Sequence, residues 1–391
     1  MKILLIHNAY QKFGGEDVVF RMERQLLKDN GHEVVEYTVS NHDINSDSFF
    51  GKVKVALETI WSNKQYKKVK RLLKEINPDI VHVHNTFPQL SPSIYWAIKS
   101  CNLPVVQTLH NYRLTCANGL LFRSNKPCDL CTTGNFSAAL KYKCYRNSLM
   151  ATAPLVLMQK IHRILGTFNN KVDVYITLNS FNKDIMVKSG LPEEKMYIKP
   201  NFINSRNLSK RSRKKQLIFV GRVSPEKGLD LLLESFTKLK SNEYELVIIG
   251  DGPEKDRLQE KYKNVNEICW MGHLSHNEVL NEIEQSRGII MPSRWYETFG
   301  MVVIEAFSVG TPAIGPNHAG IPELIQNGIN GYLFNPNDTE SLSSVLEEFC
   351  GMNDSLWNDL SQEARVSFEK SYTEKENYKY LIGIYERLLS K

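Results

Sequence analysis

Short apolar runs and helix-period stripes alternate along the whole chain. The first run, Lys2-Ile3-Leu4-Leu5-Ile6, ends at once in His7-Asn8. Residues 17–30 follow, with Val18, Met22, Leu26 and Leu27 at helical spacing, and Gly31-His32 turns the chain into a second run at 33–39. Further runs lie at 79–84, 104–110 and 172–178. Runs that are apolar throughout, rather than alternating, belong to strands buried on both faces, so the pattern predicts a parallel sheet with helices on each side. The series restarts after residue 216. Strands are predicted at 217–222, 245–250, 288–292 and 312–315, and helices at 229–240 and 301–310. A last helix near 371–389 carries Tyr378, Leu381, Tyr385 and Leu388 on one face. Between the two series, residues 201–216 read as a solvated linker that holds the basic run Lys210-Arg211-Ser212-Arg213-Lys214-Lys215.

With 391 residues the chain is too long for one ordinary core and suits two domains. Its net charge of +6 is unevenly placed: residues 1–200 carry 27 Lys and Arg against 16 Asp and Glu, whereas 201–391 carry 22 against 27. A basic first half fits an anionic surface or ligand. No run approaches the ~18 apolar residues of a membrane-spanning helix. The opening run is too short for a signal peptide, so a cytoplasmic location is expected. Seven cysteines then read as thiols or metal ligands rather than a disulfide frame. The basic linker reads as a solvated segment, and no nucleic-acid partner is expected.

The candidate chemistry lies in the second half. Arg222 ends a predicted strand and Lys227 follows five residues on, within Arg-Val-Ser-Pro-Glu-Lys-Gly. A guanidinium and an ammonium on one loop suit a diphosphate. Phe299-Gly300-Met301 opens a helix whose free N–H groups can bind phosphate oxygens. Glu305, inside that helix, can accept two hydroxyl hydrogen bonds from a ribose diol, and Glu297, before it, can hold a second polyol. The set points to a diphosphate between two sugars.

In this order the residues resemble the retaining GT-B glycosyltransferases of family 4. The resemblance rests on Gly14-Gly15, Thr108-Leu109-His110, Gly221-Arg222 with Glu226-Lys227-Gly228, Gly250-Asp251-Gly252-Pro253, and Glu297 and Glu305 around Thr298-Phe299-Gly300-Met301. Gly310-Thr311-Pro312 and Gly320-Ile321-Pro322-Glu323 continue it. It implies an α/β GT-B fold, with two Rossmann-like, doubly wound parallel-sheet domains facing across a cleft. The expected divisions are an acceptor-binding domain at 1–200, a nucleotide-sugar domain at 201–375, and a terminal helix at 376–391 packing back on the first domain.

By the same resemblance, Arg222 and Lys227 bind the donor diphosphate, Glu305 the ribose and Glu297 the transferred sugar. The backbone at Phe299, Gly300 and Met301 meets the phosphates, and the nucleobase sits near Met271, His273 and Leu274. Gly15 faces the diphosphate or acceptor, and His110 lies under the reacting sugar. His82 and His84 share one strand face and read as structural or acceptor-lining; for want of a converging acid they are not expected to be metal ligands. The implied function is transfer of a hexose-type sugar from a UDP- or GDP-sugar to a saccharide in surface polysaccharide synthesis, independent of metal because the chain has no Asp-x-Asp pair. The rival readings are a nucleotide-binding, non-catalytic GT-B subunit and a sugar-nucleotide epimerase.

Two features stand apart. Cys116, Cys128, Cys131 and Cys144 have the spacing of a four-thiolate structural zinc site. Residues 137–168 mix Lys141, Lys143, Arg146, Lys160 and Arg163 with many apolar residues. That composition suits peripheral contact with an anionic membrane on its inner face, and hence a lipid-linked acceptor.

Overall fold

The apolar runs become two six-stranded sheets in which every neighbouring pair of strands is parallel. The structure is a computed structural model and describes residues 1–10, 14–41, 49–206, 213–240 and 243–390. Phe13 of the first glycine loop and Lys210-Arg211-Ser212 of the basic run lie outside the described residues. The chain divides into two compact units. One comprises Met1–Leu121, Asp129–Pro200 and Asn377–Lys391, the other Phe122–Cys128 and Asn201–Glu376.

In the first unit the strands are β1 (Lys2–Ala9), β2 (Glu33–Ser40), β3 (Ile80–Asn85), β4 (Val105–Thr108), β5 (Val174–Thr177) and β6 (Met196–Ile198). Their spatial order is β2-β1-β3-β4-β5-β6. The second unit holds β7 (Lys214–Val220), β8 (Glu245–Ile249), β9 (Ile268–Gly272), β10 (Ser286–Ile290), β11 (Ala313–Pro316) and β12 (Gly331–Phe334), in the order β9-β8-β7-β10-β11-β12. Both orders reverse direction once, between β1 and β3 and between β7 and β10. In such sheets the chain leaves the two strands in opposite directions at that point, which opens a crevice beyond their carboxyl ends. The central strands are apolar on both faces because both faces are covered: Ile3, Leu4, Leu5 and Ile6 have no exposed surface. Edge strand β9 alternates half-buried and exposed positions instead.

Helix α1 (Gly15–Asp29) starts where Asp17 accepts a hydrogen bond from the Gly14 N–H at 2.9 Å. Its buried face is Val19, Phe20, Glu23, Leu26 and Leu27, rotated from the stripe through Val18 and Met22 that hydrophobicity alone predicts. A carboxylate, Glu23, occupies the centre of that face. Helix α2 spans Leu149–Ile164 and α3 spans Met301–Ser308. Helix α4 (Glu374–Leu389) sends Leu381, Ile384 and Tyr385 into the core of the first unit with Ile3, Leu5, Ile80, Val106 and Ile176.

The expected linker ends earlier than its charge suggests. Lys214 and Lys215 already belong to β7, and Arg213 is embedded. Arg213 donates to Thr311 Oγ1 at 2.6 Å and to the carbonyls of Ser286 and Val309, and burial lowers its pKa to about 10. A guanidinium with this many carbonyl partners is a brace of the second unit, not a solvated charge.

The Gly-Asp-Gly-Pro motif has a steric origin. The loop after β8 lies against the loop after β7: the Val223 N–H donates to Asp251 O at 2.9 Å and the Glu254 N–H to Val223 O at 3.1 Å. A Cβ at Gly250 would stand 1.9 Å from Gly221 O, and one at Gly252 2.2 Å from Val223 O. Gly252→Ala should therefore cost about 3 kcal/mol of stability. Gly383→Ala, at an exposed position inside α4 with nothing within 4 Å of the new methyl, should add roughly 0.5–1 kcal/mol. Calorimetric melting of the two variants against the parent tests the pair; an unchanged midpoint for Gly252→Ala would refute the close-approach argument.

Candidate functional site

In the second unit, β7 and β10 flank the crevice, and their carboxyl ends run directly into the charged loops. Arg222 lies just past β7, and its exposed guanidinium makes no hydrogen bond among the described residues. A single 3-10 turn, Pro225–Lys227, then ends in Gly228 at φ 68°. A Cβ there would sit 2.1 Å from Pro292 O, so glycine lets this loop seat against the chain leaving β10. The Arg294 N–H donates to Glu226 O at 2.9 Å, and Arg294 pairs with Asp230 at 2.7 Å, which pins the two loops together.

The consequence is a short ion pair. Lys227 Nζ lies 2.5 Å from Glu297 Oε1, and Ser293 Oγ donates to the same oxygen at 2.8 Å. Glu297 is 5% exposed. Burial pushes its pKa up, but Lys227, with help from Trp295 and Ser293, outweighs burial and holds it below the ordinary carboxylate value. Lys227 also lies over the Trp295 ring, 5.1 Å from its centroid.

Gly300, at φ 100°, caps α3. Among the described residues the N–H groups of Phe299, Gly300 and Met301 donate to nothing, which leaves three donors beside the Lys227 loop. One turn on, the Glu305 side chain is 15% exposed, with His276 Nδ1 3.7 Å away, and burial pushes its pKa up to about 7. Met271 and His273 are exposed and Leu274 half-buried, at and beyond the end of edge strand β9.

The first unit carries the other predicted residues. Gly15 opens α1 exposed, with open space where a Cβ would stand. His110 follows β4, whose ladder runs on to a Leu109 N–H donating to Ile176 O at 2.8 Å. Their neighbours meet: the Asn111 amide donates to Glu16 Oε2 at 3.0 Å. Burial pushes Glu16 up to about 7, and its Oε1 has no partner. No sequence signal singled out Glu16 or Asn111, although each adjoins a predicted residue.

The ground for reading His82 and His84 as other than metal ligands needs correction, because an acid does converge on them. Glu23 Oε1 lies 3.1 Å from His82 Nδ1 and 3.2 Å from His84 Nε2. Among the described residues these three form the one converging group of His, Cys, Asp and Glu. A cation is already built in, since Lys199 Nζ sits 2.9 Å from Glu23 Oε2. No local sequence signal marks Glu23, whose burial on α1 shows only in the fold. None of the four cysteines of the zinc expectation is in a disulfide, and Cys116 and Cys131 are buried while Cys128 and Cys144 are half-buried. Cys116 Sγ donates to Asn118 Oδ1 at 2.9 Å.

Residues 13–207 match the family described as Glycosyltransferase Family 4, and residues 201–367 match Glycosyl transferases group 1. An uncharacterized glycosyltransferase of Methanocaldococcus jannaschii is 26% identical over 271 residues, 68% of this chain and 64% of that one. The N-acetyl-alpha-D-glucosaminyl L-malate synthase of Bacillus anthracis is 22% identical over 96% of this chain and 94% of its own. Among solved structures, Anabaena HepE in complex with UDP-glucose superposes with a TM-score of 0.69 at 15% identity, over 100% of both chains.

Glu305 gives a test that needs no ligand. Its raised pKa means that the folded state holds a proton between pH 4.5 and about 7 that the unfolded state has lost. Stability from this group is thus lost as pH rises through that window and is level above it. Glu305→Gln should melt with the parent near pH 4.5 and above it at pH 8, by at most about 3 kcal/mol. Parallel melting curves at both pH values would remove the assignment.

Proposed function

The chain belongs to glycosyltransferase family 4 and has the GT-B fold, and on that footing we propose that it moves a hexose-type sugar from a UDP- or GDP-sugar to a lipid-linked saccharide, with retention and without a catalytic metal. The observation that carries the reading is the cationic lip at the crevice of the second unit. Exposed Arg222, Lys227 on its buried carboxylate, and three undonated N–H groups share the loops beyond β7 and β10. As the bond from sugar to diphosphate breaks, negative charge gathers on the leaving phosphate, and fixed donors favour that state without reorganising. Glu297 orients the Lys227 ammonium and faces the transferred sugar. Glu305 takes the ribose diol; hydroxyl donors favour its ionised form, so binding draws its proton off. His110 and Glu16 serve the acceptor side. A neighbour recorded with UDP-glucose supports a nucleotide-sugar donor.

Contact with an anionic membrane surface is supported by α2. Leu149, Met150 and Ile164 are 51%, 69% and 84% exposed on a unit rich in Lys and Arg. No described helix is long and apolar enough to cross a membrane.

A panel of UDP-, GDP-, ADP- and dTDP-sugars, each with EDTA, should yield one donor that raises the melting temperature and is slowly hydrolysed. With that donor, Lys227→Ala should lower kcat/KM by roughly 100- to 1,000-fold while remaining folded. Stabilisation without turnover, even with lipid-linked acceptors, would favour a non-catalytic binding subunit. No response to any nucleotide would overturn the reading.

A further inference from the structure

Behind His110 lies a column of buried groups that the donor chemistry leaves unused. His84 Nδ1 is 2.9 Å from His110 Nε2, with the ring centroids 5.2 Å apart and the ring planes 18° apart. On its other side His84 Nε2 faces Glu23 Oε1 at 3.2 Å. Neither atom completes a hydrogen bond with any described residue, so what faces the His84 Nε2 edge is the negative charge of the carboxylate, shared with His82 Nδ1 at 3.1 Å. Glu23 has no exposed surface and His84 is 2% exposed. Lys199 completes the far end, 2.9 Å from Glu23 Oε2.

The column has a direction. Burial alone would raise the Glu23 pKa, but Lys199, then His82 and His84, hold it well below the ordinary value. Glu23 is therefore a carboxylate and can only accept. Burial and the neighbouring His82 push His84 down to about 3, so its ring is neutral and carries one proton. That proton belongs on Nε2, toward the carboxylate, which leaves Nδ1 bare. The contact with His110 then requires that His110 donate from Nε2. Burial and His84 hold His110 well below the ordinary value, so its single proton is spent there. Among the described residues its Nδ1 makes no hydrogen bond.

Glu23, His82 and His84 are not free to trap a metal ion. The Lys199 ammonium already balances the Glu23 charge through its other oxygen, and His82 is engaged on both nitrogens, by Tyr385 at 2.6 Å and Thr108 at 2.7 Å.

We propose that Glu23 and His84 are positioning residues that lock His110 as the neutral Nε2–H tautomer, so that its bare Nδ1 accepts a hydrogen bond from a hydroxyl of the bound sugar. The inference rests on the reading above that His110 faces substrate. It means that His110 recognises a hydroxyl hydrogen and cannot donate to the diphosphate.

Long-range nitrogen–proton NMR on the parent protein, labelled with 15N-histidine, reads the tautomer directly. The His110 signals are assigned by their loss in His110→Gln. The expected result is a protonated Nε2 and a bare Nδ1 throughout pH 6–8. A proton on Nδ1, or titration of the ring in that range, overturns the proposal. Kinetics supply the second arm. His84→Asn keeps an acceptor near the position of Nδ1, whereas His84→Leu removes it. With the donor found by the panel, the Leu variant should lose roughly 10- to 100-fold in kcat at little changed donor KM, and the Asn variant should recover most of it. Equal losses in both, or full activity in a folded Leu variant, would also overturn it. A parent protein that turns over no donor would sink the transferase reading, while the tautomer measurement would still decide the column.

Discussion

One buried ion pair organises the first unit. Lys199 and Glu23 have no exposed surface, and taking two charges out of water is costly unless each finds several partners. Here each does. Lys199 also reaches Asn377 Oδ1 at 3.2 Å, and the Asn377 amide donates to Pro200 O at 2.6 Å. Glu23 spreads its charge over Lys199, His82 and His84. The pair thus sets α1 on the sheet, holds α4 at the end of β6 and aligns the histidines beneath His110. Removing either partner would strand a charge in the interior, a defect worth about 3–5 kcal/mol.

The second unit solves a different problem with the same kind of sheet. Its working charges must meet a ligand, so Arg222 stays exposed and Lys227 is kept ready by one buried carboxylate. Precision there comes from backbone packing. Gly228 lets one loop rest on Pro292 O, and Gly250 and Gly252 let the loop after β8 rest on the loop after β7. The glycines of the motif thus shape the site without lining it. The first unit fixes side chains by burying them; the second fixes loops by letting main chains touch.

The strands were legible because residues covered on both faces leave an unbroken apolar run, and KILLI needs no partner to be recognised. Arg222, Lys227, Glu297 and Glu305 were legible because each sits within a few residues of a strand end or helix start. Glu23 was not, because a carboxylate reads as a solvent-facing position until its partner is known, and Lys199 is 176 residues away. The same blindness rotated the predicted stripe of α1. Glu16 and Asn111 meet across 95 residues, again beyond any local pattern. Arg213 was misread for the complementary reason: beside other basic residues it looked solvated, although carbonyls surround it.

The placement of α4 bears on how this protein is made. Tyr385 reaches His82 across 303 residues, and Leu381 and Ile384 fill a core begun by Ile3 and Leu5. A ribosome that has delivered the first 200 residues has not yet made the helix that closes them. At a synthesis rate on the order of 5–20 residues per second, the nascent first unit waits roughly ten to forty seconds with that apolar face uncovered. During that interval the second unit can emerge and fold, so the half that begins first is the half that finishes last. Chaperones that shield exposed apolar surface would find their longest-lived client in the amino-terminal half.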